Sequence, residues 1–270
     1  MSGRRDALRR RVAVATWRPS RDGRIYTRMA VDVTAALAYI DDVRRSTGER
    51  VTVTHVVGAA LGRAIRDVPE VRARVLFGRI LRHETCDIAF AVDIDGGTDL
   101  APIKVRDIDT KTPVEVAREL DFGAARARAG QDPHHSRSAW YVRVAPPWTL
   151  RPLLGAASIL VGGLGVAAFG QPGFPLGAAF VSNVGSLGLD EGYLAPVPFA
   201  RVPLYISIGA VRQEAVAVGR DVLVRPQVVI GATADHRLVD GAHAGRIATV
   251  LRELLLDPYR LDKPSALPSP

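Results

Sequence analysis

The side chains best suited to catalysis lie near the end of the chain. Residues 234–241 read Ala-Asp-His-Arg-Leu-Val-Asp-Gly, and they place His236 between the end of a predicted strand and the start of the final predicted helix. Histidine has an ordinary pKa that lets it accept a proton near neutral pH and return it later. His236 is therefore a candidate general base, although the spacing alone leaves open a structural histidine held within a turn.

The residues that follow His236 are suited to shaping the turn. Asp240 is predicted to cap the last helix, because its carboxylate can accept hydrogen bonds from the first backbone N–H groups of that helix. Gly241 is predicted to allow close packing at a point where a side chain would clash. A turn between a strand and a helix holds its side chains on rigid elements while leaving them open to a cleft.

The rest of the chain alternates between patterns typical of strands and of helices. Strand patterns, with apolar residues at alternate positions, cover residues 25–33, 88–94, 100–108, 180–184, 204–210, 215–218, 222–224 and 227–234. Helix patterns, with apolar residues every three or four positions, cover residues 34–45, 54–68, 112–129 and 241–256. These elements predict an α/β two-layer sandwich in which helices cover a mixed, largely antiparallel sheet.

Two of the helix starts carry capping residues. Thr34 is predicted to cap the first helix. Thr112, Pro113 and Glu115 combine a capping hydroxyl, a proline at the first helical position and a glutamate able to reach back, and Gly130 is predicted to end this helix. No glycine-rich loop joins a strand to a helix as in Rossmann or P-loop domains, so nucleotide-dependent redox or kinase chemistry is disfavoured.

The segment around His236 resembles the His-x-x-x-Asp-Gly signature that the 2-oxoacid dehydrogenase acyltransferases (dihydrolipoamide acyltransferases) share with the chloramphenicol acetyltransferases. Residues 180–185, Phe-Val-Ser-Asn-Val-Gly, resemble the Ser-Asn-Leu-Gly segment of the dehydrogenase acyltransferases. Residues 87–93 and 100–103 resemble their strand pair. The likeness runs from about residue 24 to residue 257, interrupted by an insert, and it implies the chloramphenicol acetyltransferase-like fold.

The resemblance implies transfer of an acyl group between coenzyme A and a thiol or hydroxyl acceptor, with a dihydrolipoyl group as the expected acceptor. His236 would deprotonate the nucleophile, Ser182 would donate a hydrogen bond to the oxyanion, and Asp240 would hold the turn and the imidazole. Asn183 and Asp235 would support the site structurally. These roles suit the chemistry, because a thiol attacks well only when ionised and the developing negative charge needs a donor. Without the resemblance, Ser182 is equally well explained as a strand serine bonded to its own backbone.

The resemblance also implies a homotrimer with its active site at the subunit boundary. Full-length members of the family carry a lipoyl domain and a partner-binding domain ahead of the catalytic domain. We expect instead a basic arm over residues 1–23, a free-standing catalytic domain over residues 24–261 and a disordered tail over residues 262–270. No lipoyl attachment lysine is expected in this chain, so a lipoyl group would come from a separate protein.

Composition narrows the partners and the compartment. The formal net charge is +8 and rests mostly on arginine. No basic stripe is interleaved with aromatic residues, so nucleic acid is not expected as a partner. Cys86 is the single cysteine, which excludes an intramolecular disulfide and a multi-cysteine metal site, and no metal site is expected. The absence of a secretion signal and the cysteine usage favour the cytoplasm.

An apolar insert at residues 131–177 departs from the family pattern. Residues 153–170 carry no charge and barely reach the length of one membrane span. A span there would put paired strands on opposite sides of a bilayer, so a buried or intersubunit helical hairpin, or a patch that touches a membrane, is preferred. The insert also supports an alternative function, a non-catalytic trimeric scaffold that binds a partner or a membrane surface.

Overall fold

A computed structural model describes residues 23–94, 100–130, 146–168 and 171–263. Its strands are β1 (Arg24–Asp32), β2 (Ala73–Leu76), β3 (Arg79–Arg82), β4 (Ile88–Asp93), β5 (Leu100–Val105), β6 (Ala179–Asn183), β7 (Leu204–Ile208), β8 (Arg212–Val218) and β9 (Asp221–Asp235). A seven-stranded sheet has the order β1-β9-β7-β6-β4-β5, with β8 also paired to β9. Strands β4, β6 and β7 run parallel, and the other neighbours run antiparallel.

Helices cover one face of this sheet. They are α1 (Thr34–Thr47), α2 (Val53–Asp67), α3 (Pro113–Arg128) and α5 (Gly241–Leu256), while α4 (Pro147–Ala157) lies in the insert. Buried side chains of α1, α2, α3 and α5 share one core with inward-facing strand residues such as Val181, Ile206 and Ile230. A smaller cluster around Tyr205 and Val202 lies on the other face. The predicted two-layer α/β sandwich with a mixed sheet is confirmed.

Strand β9 is longer than the sequence predicted, because the segments 222–224 and 227–234 form one continuous strand. Pro226 lies between the two predicted segments, and proline has no N–H to donate to a neighbouring strand. The N–H and C=O of a strand residue point to the same side, and the Pro226 carbonyl accepts from the Val33 backbone N–H at 2.9 Å. The Pro226 nitrogen, which has no hydrogen, therefore also faces the side of β1, and β1 has already ended there. The proline thus removes no hydrogen bond between β1 and β9.

The two predicted helix caps have different outcomes. The Thr112 hydroxyl accepts from the Glu115 backbone N–H at 3.3 Å, and the Glu115 carboxylate accepts from the Thr112 N–H at 2.8 Å, so that capping box is confirmed. The prediction that Thr34 caps α1 is wrong, because Val33 occupies the N-cap position. The carboxylate of Asp32 accepts from the Thr34 N–H at 2.8 Å instead, since a charged oxygen is the stronger acceptor.

The described part of the insert packs against the body of the protein. Helix α4 continues into a π-helical turn over Ser158–Gly163, while residues 131–145 and 169–170 lie outside the described residues, so the predicted hairpin stays a prediction. Arg201 donates to the Ser158 carbonyl at 3.2 Å, and Arg74 donates to the Gly163 carbonyl at 2.5 Å. These bonds satisfy carbonyls that a short helix leaves unpaired. Among the described residues, no helix combines the length and the apolar character needed to cross a membrane.

Candidate active site

His236 lies in the short turn between β9 and α5, as the sequence predicted. Its backbone N–H donates to the carbonyl of Gly23 at 3.1 Å, which fixes the start of the turn against the residue before β1. Its side chain is exposed in the protomer. The rigid strand on one side and the capped helix on the other therefore hold an imidazole at the protein surface.

One hydrogen bond determines which imidazole nitrogen is basic. His236 Nδ1 lies 3.1 Å from the backbone carbonyl oxygen of Val239. A carbonyl oxygen can only accept, so in the neutral ring Nδ1 carries the hydrogen and Nε2 carries the lone pair. The ring thus offers a proton acceptor at Nε2, in an orientation set by the backbone three residues later.

Asp240 and His243 cap the start of α5 together. The Asp240 carboxylate accepts from the His243 backbone N–H at 3.0 Å, and His243 Nδ1 reaches back to the Asp240 backbone N–H at 3.3 Å. The backbone hydrogen bond from His243 lowers the pKa of the Asp240 carboxyl. The predicted N-cap is therefore present. The Asp240 carboxylate holds the turn through this helix start, whereas the Val239 carbonyl orients the imidazole.

The prediction for Gly241 is wrong within the protomer. A Cβ atom built at Gly241 meets no described atom within 4 Å, and the residue does not have the positive φ that favours glycine. The sequence offered no means of separating a tightly packed glycine from an exposed one, because both follow a helix cap equally well.

Asp235, which directly precedes His236, forms an ion pair with Arg237. Arg237 donates to both Asp235 carboxylate oxygens, with Nε at 2.9 Å from Oδ1 and Nη2 at 2.6 Å from Oδ2. Burial acts to raise the pKa of Asp235, but the hydrogen bonds from Arg237 outweigh it and the pKa is lowered. Both residues line a cavity of about 250 Å³ together with Arg24 and Arg201. The turn is therefore flanked by an open, positively charged cavity.

Ser182 lies on β6 with its hydroxyl available. The residue is half-buried, and its hydroxyl makes no hydrogen bond to any residue in the described ranges. The neighbouring Asn183 is held on both sides: its amide nitrogen donates to the Thr54 hydroxyl at 2.8 Å, and its amide oxygen accepts from the Ser186 backbone N–H at 3.1 Å. Asn183 therefore ties the end of β6 to α2, and it fixes the backbone beside Ser182.

Strand register separates Ser182 from His236 within one protomer. Ser182 is level with Ser207 of β7, which is level with Gly231 of β9. β9 continues for four more residues to Asp235, or roughly 13 Å at about 3.3 Å per residue. Two strand spacings of about 4.8 Å separate β6 from β9 in addition. The two side chains therefore lie at opposite ends of the sheet, and the fold does not bring them together in a single protomer.

The other described histidines outside the turn are the buried His55 and the half-buried His83. Burial lowers the pKa of both His55 and His83 to about 4, so each ring is neutral near pH 7 and is poorly suited to exchange protons there. His55 Nδ1 accepts from the Thr52 backbone N–H at 3.1 Å at the start of α2. His134 and His135 lie outside the described residues.

Two residues contribute to the site through backbone atoms, which residue type does not reveal. The carbonyl of Val239 and the carbonyl of Gly23 both act through the backbone. Residue type does not reveal which carbonyl a turn will present, so sequence reasoning missed them. The contact between Asn183 and Thr54 joins residues far apart in the chain, which local patterns also do not record.

A sequence model for the catalytic domain of 2-oxoacid dehydrogenase acyltransferases matches residues 9–136 and 176–262 of this chain. The interruption falls within the predicted insert at residues 131–177. Both segments that carry the candidate side chains, β6 with Ser182 and the turn with His236, lie inside the second matched region.

Individual relatives agree with the family match. The dihydrolipoyllysine-residue succinyltransferase component of the 2-oxoglutarate dehydrogenase complex from Haemophilus influenzae is 24% identical over 229 residues, covering 81% of this chain and 46% of the relative. This chain therefore spans about half the length of that relative. A probable dihydrolipoamide acetyltransferase from Listeria monocytogenes has a TM-score of 0.68 and 17% identity, covering 99% of this chain and 96% of that one. An Azotobacter vinelandii dihydrolipoamide acetyltransferase has a TM-score of 0.66 and 17% identity, covering 90% and 85% of the two chains. The structural matches show a shared fold.

Proposed function

This chain belongs to the 2-oxoacid dehydrogenase acyltransferase family, in its catalytic domain, and from that membership we propose that it transfers an acyl group between coenzyme A and a thiol or hydroxyl acceptor. A dihydrolipoyl group is the acceptor we favour, because the similar proteins are named for acyl transfer to dihydrolipoyllysine or dihydrolipoamide. Coenzyme A is a substrate in this reaction. The lipoyl group would be presented by a separate protein or by a part of the chain not represented in this sequence.

The proton chemistry of His236 carries this proposal. Its Nδ1–H is committed to the Val239 carbonyl, so Nε2 faces outward with a lone pair. Nε2 accepts the proton of the attacking thiol as the new carbon–sulfur bond forms, and it returns that proton to the departing sulfur as the old bond breaks. No net proton is gained or lost over the transfer.

Ser182 is the proposed donor to the carbonyl oxygen on which negative charge develops. Its hydroxyl is half-buried on β6 and makes no hydrogen bond within the described residues, so the hydroxyl hydrogen can turn toward a bound thioester. A donor placed in advance stabilises the transition state without having to be reoriented during the reaction.

We also propose that the complete site forms between two protomers of a homotrimer. In one protomer Ser182 and His236 are at opposite ends of the sheet, so one residue of each pair must come from a neighbouring subunit. The repeated, head-to-tail contact of a threefold ring provides the same pairing three times. In the Azotobacter vinelandii enzyme, a serine, a histidine and an asparagine four residues after that histidine have been investigated for their role in the catalytic mechanism. Ser182 and His236 are residues of the same types here, and Asp240, four residues after His236, stands in place of that asparagine.

The first test replaces His236 by asparagine, whose amide N–H can still donate to the Val239 carbonyl but which provides no base. We expect the rate of acyl transfer from acetyl-CoA or succinyl-CoA to dihydrolipoamide to fall by about 10²- to 10⁴-fold. The exposed position of His236 predicts unchanged thermal unfolding. Thiol release and product formation would be measured together.

A matched control is His243→Gln, which removes another imidazole from the same region but leaves a side chain that can complete the capping box. Its turnover should equal that of the parent. Full activity in His236→Asn would refute the assigned base. A parent protein that exchanges no acyl group with any of these thioesters would favour the alternative, a non-catalytic scaffold of the same fold.

A further inference from the structure

A second charged cavity lies far along the fold from the turn that carries His236. It has a volume of about 230 Å³ and lies between α2, the second half of α5 and the residues that follow α5. Four cationic and two anionic side chains line it, together with Val250 and Leu254: Arg63, Arg66, Arg260, Lys263, Asp67 and Glu253. Four positive charges against two negative charges leave an excess of two positive charges.

Arg63 is the most unusual of these residues, because its guanidinium group is buried without a carboxylate partner. Arg63 is 5% exposed, yet it forms no ion pair within the part of the chain that the structure describes. Its Nη2 donates to the Lys263 carbonyl at 3.2 Å, while Nη1 has no hydrogen-bond partner there. Burial lowers the pKa of Arg63, and the nearby Arg66 adds to that effect. Asp109, Asp67 and Glu115 attract this guanidinium group electrostatically, but none of them forms an ion pair with it in the described ranges. A buried charge without a counter-charge in direct contact is costly to the folded protein.

The remaining cations of the cavity keep donors available as well. Arg66 lies 3.8 Å from Asp67, and Arg260 lies 3.8 Å from Glu253, which are separations too long for hydrogen bonds. Lys263 is exposed and forms no ion pair in the described ranges. The two carboxylates thus neutralise the rim only in part.

We propose that this cavity binds a phosphate group. A phosphate dianion matches the excess of two positive charges, and its tetrahedral oxygens accept the paired N–H donors of guanidinium groups. The phosphate would supply the counter-charge that Arg63 lacks. Arg63 gives the site its buried floor, while Arg66, Arg260 and Lys263 close around the ligand from the rim. Nothing in the proposed acyl transfer uses these residues, so the site is separate from the turn at His236.

Binding would be tested on the full chain with inorganic phosphate, by calorimetry and by thermal unfolding against sodium chloride at equal ionic strength. We expect Tm to rise by roughly 3–5 °C once phosphate exceeds its Kd about tenfold, because only the folded protein binds it. Arg63→Met should abolish both the heat of binding and the rise in Tm. Arg260→Met, at an exposed position where folding is not at risk, should weaken binding at least tenfold.

Arg220→Met is the matched control, since Arg220 is an exposed arginine in the turn between β8 and β9 and lies outside the cavity. It should retain the whole response, which separates the cavity from general stabilisation by phosphate. The proposal is overturned if phosphate gives the parent no more than chloride does, or if Arg63→Met and Arg260→Met both keep the full response.

The source of the phosphate group is decided by a second titration. Coenzyme A would be titrated into the parent and into Arg260→Met, with and without saturating inorganic phosphate. Competition by phosphate, and weaker coenzyme A binding in the variant, would mean that the cavity holds a phosphate of coenzyme A. If neither added phosphate nor Arg260→Met alters coenzyme A binding, the cavity binds free phosphate or another phosphate ester.

Discussion

The position of one hydrogen atom controls the chemistry open to His236. An imidazole whose Nδ1–H faces a carbonyl is a base at Nε2, whereas the other tautomer would present a donor at that nitrogen. The Val239 carbonyl selects the first form. Ser182 complements it, because a hydroxyl without a partner in the described residues can act as the donor that the base does not provide.

At this scale, Ser182→Ala should lower kcat by about 10²-fold while KM for the acyl-CoA changes little, since the lost hydrogen bond forms mainly in the transition state. Thermal unfolding should be unchanged, because the hydroxyl supports no other group. Ser207→Ala, on the adjacent strand, is the opposite case. The Ser207 hydroxyl is buried and donates to the Gly192 carbonyl, so this variant should lose about 1 kcal/mol of stability and keep its kcat. Equal kinetic effects of the two substitutions would contradict the role of Ser182.

Strand β9 and helix α5 position the proposed base, and the turn between them is held from both ends. The Gly23 carbonyl fixes the strand end, and the capping box of Asp240 and His243 fixes the helix start. The cap also places the last residues of the turn, including the Val239 carbonyl that orients the ring. In the proposed mechanism, helix α5 thus positions the imidazole by where it starts as well as by its packing.

Two substitutions at Asp240 distinguish its role as the helix N-cap from the role of its negative charge. Asparagine is as good an N-cap as aspartate, so Asp240→Asn should retain the stability and most of the activity of the parent. Asp240→Ala should lower the free energy of unfolding by about 1 kcal/mol and reduce kcat, because the turn loses its anchor. Denaturant titration and steady-state rates would measure both effects. An inactive but stable Asp240→Asn would show that the negative charge itself is needed.

Strand order in the sheet determines how many protomers the proposed site requires. The sheet places β6 two strands from β9 and sets Ser182 toward the end opposite His236. A chain that folds in this way cannot assemble the pair alone. The proposed homotrimer follows from this separation, and it makes activity a property of the assembly.

Mixed trimers test this arrangement directly. His236→Ala retains Ser182, and Ser182→Ala retains His236, so a boundary between the two variants can hold one intact pair. With random mixing of co-expressed chains, about one quarter of the boundaries should recover a complete site. The mixture should then regain roughly that share of parental activity, while each variant alone stays at about 1% of it or below.

The control mixes His236→Ala with a chain that carries both substitutions, and it can restore no site. Native mass spectrometry would verify that the chains have exchanged. Mixed assemblies as inactive as either variant would argue for a site within one protomer.

Features that depend on neighbouring residues in the chain could be predicted without the structure. The turn with His236, the Asp240 cap, the Thr112 capping box and most strands and helices can be predicted, because period and capping act over a few residues. The resemblance around residues 180–185 and 234–241 pointed to the family. The Thr34 cap and the division of β9 into two strands were predicted wrongly, since the Asp32 carboxylate accepts from the Thr34 N–H and β1 ends beside Pro226.

The remaining features of the site depend on how distant segments pack in the fold. This packing sets the separation of Ser182 from His236, the carbonyl that faces the imidazole, and the burial of Arg63 without an ion pair among the described residues. Each of these depends on strand order, register or helix packing between segments distant in the chain. Local periodicity does not show which strands are neighbours in the sheet, so the same pattern would fit several strand orders. The observed order is the one that separates Ser182 from His236.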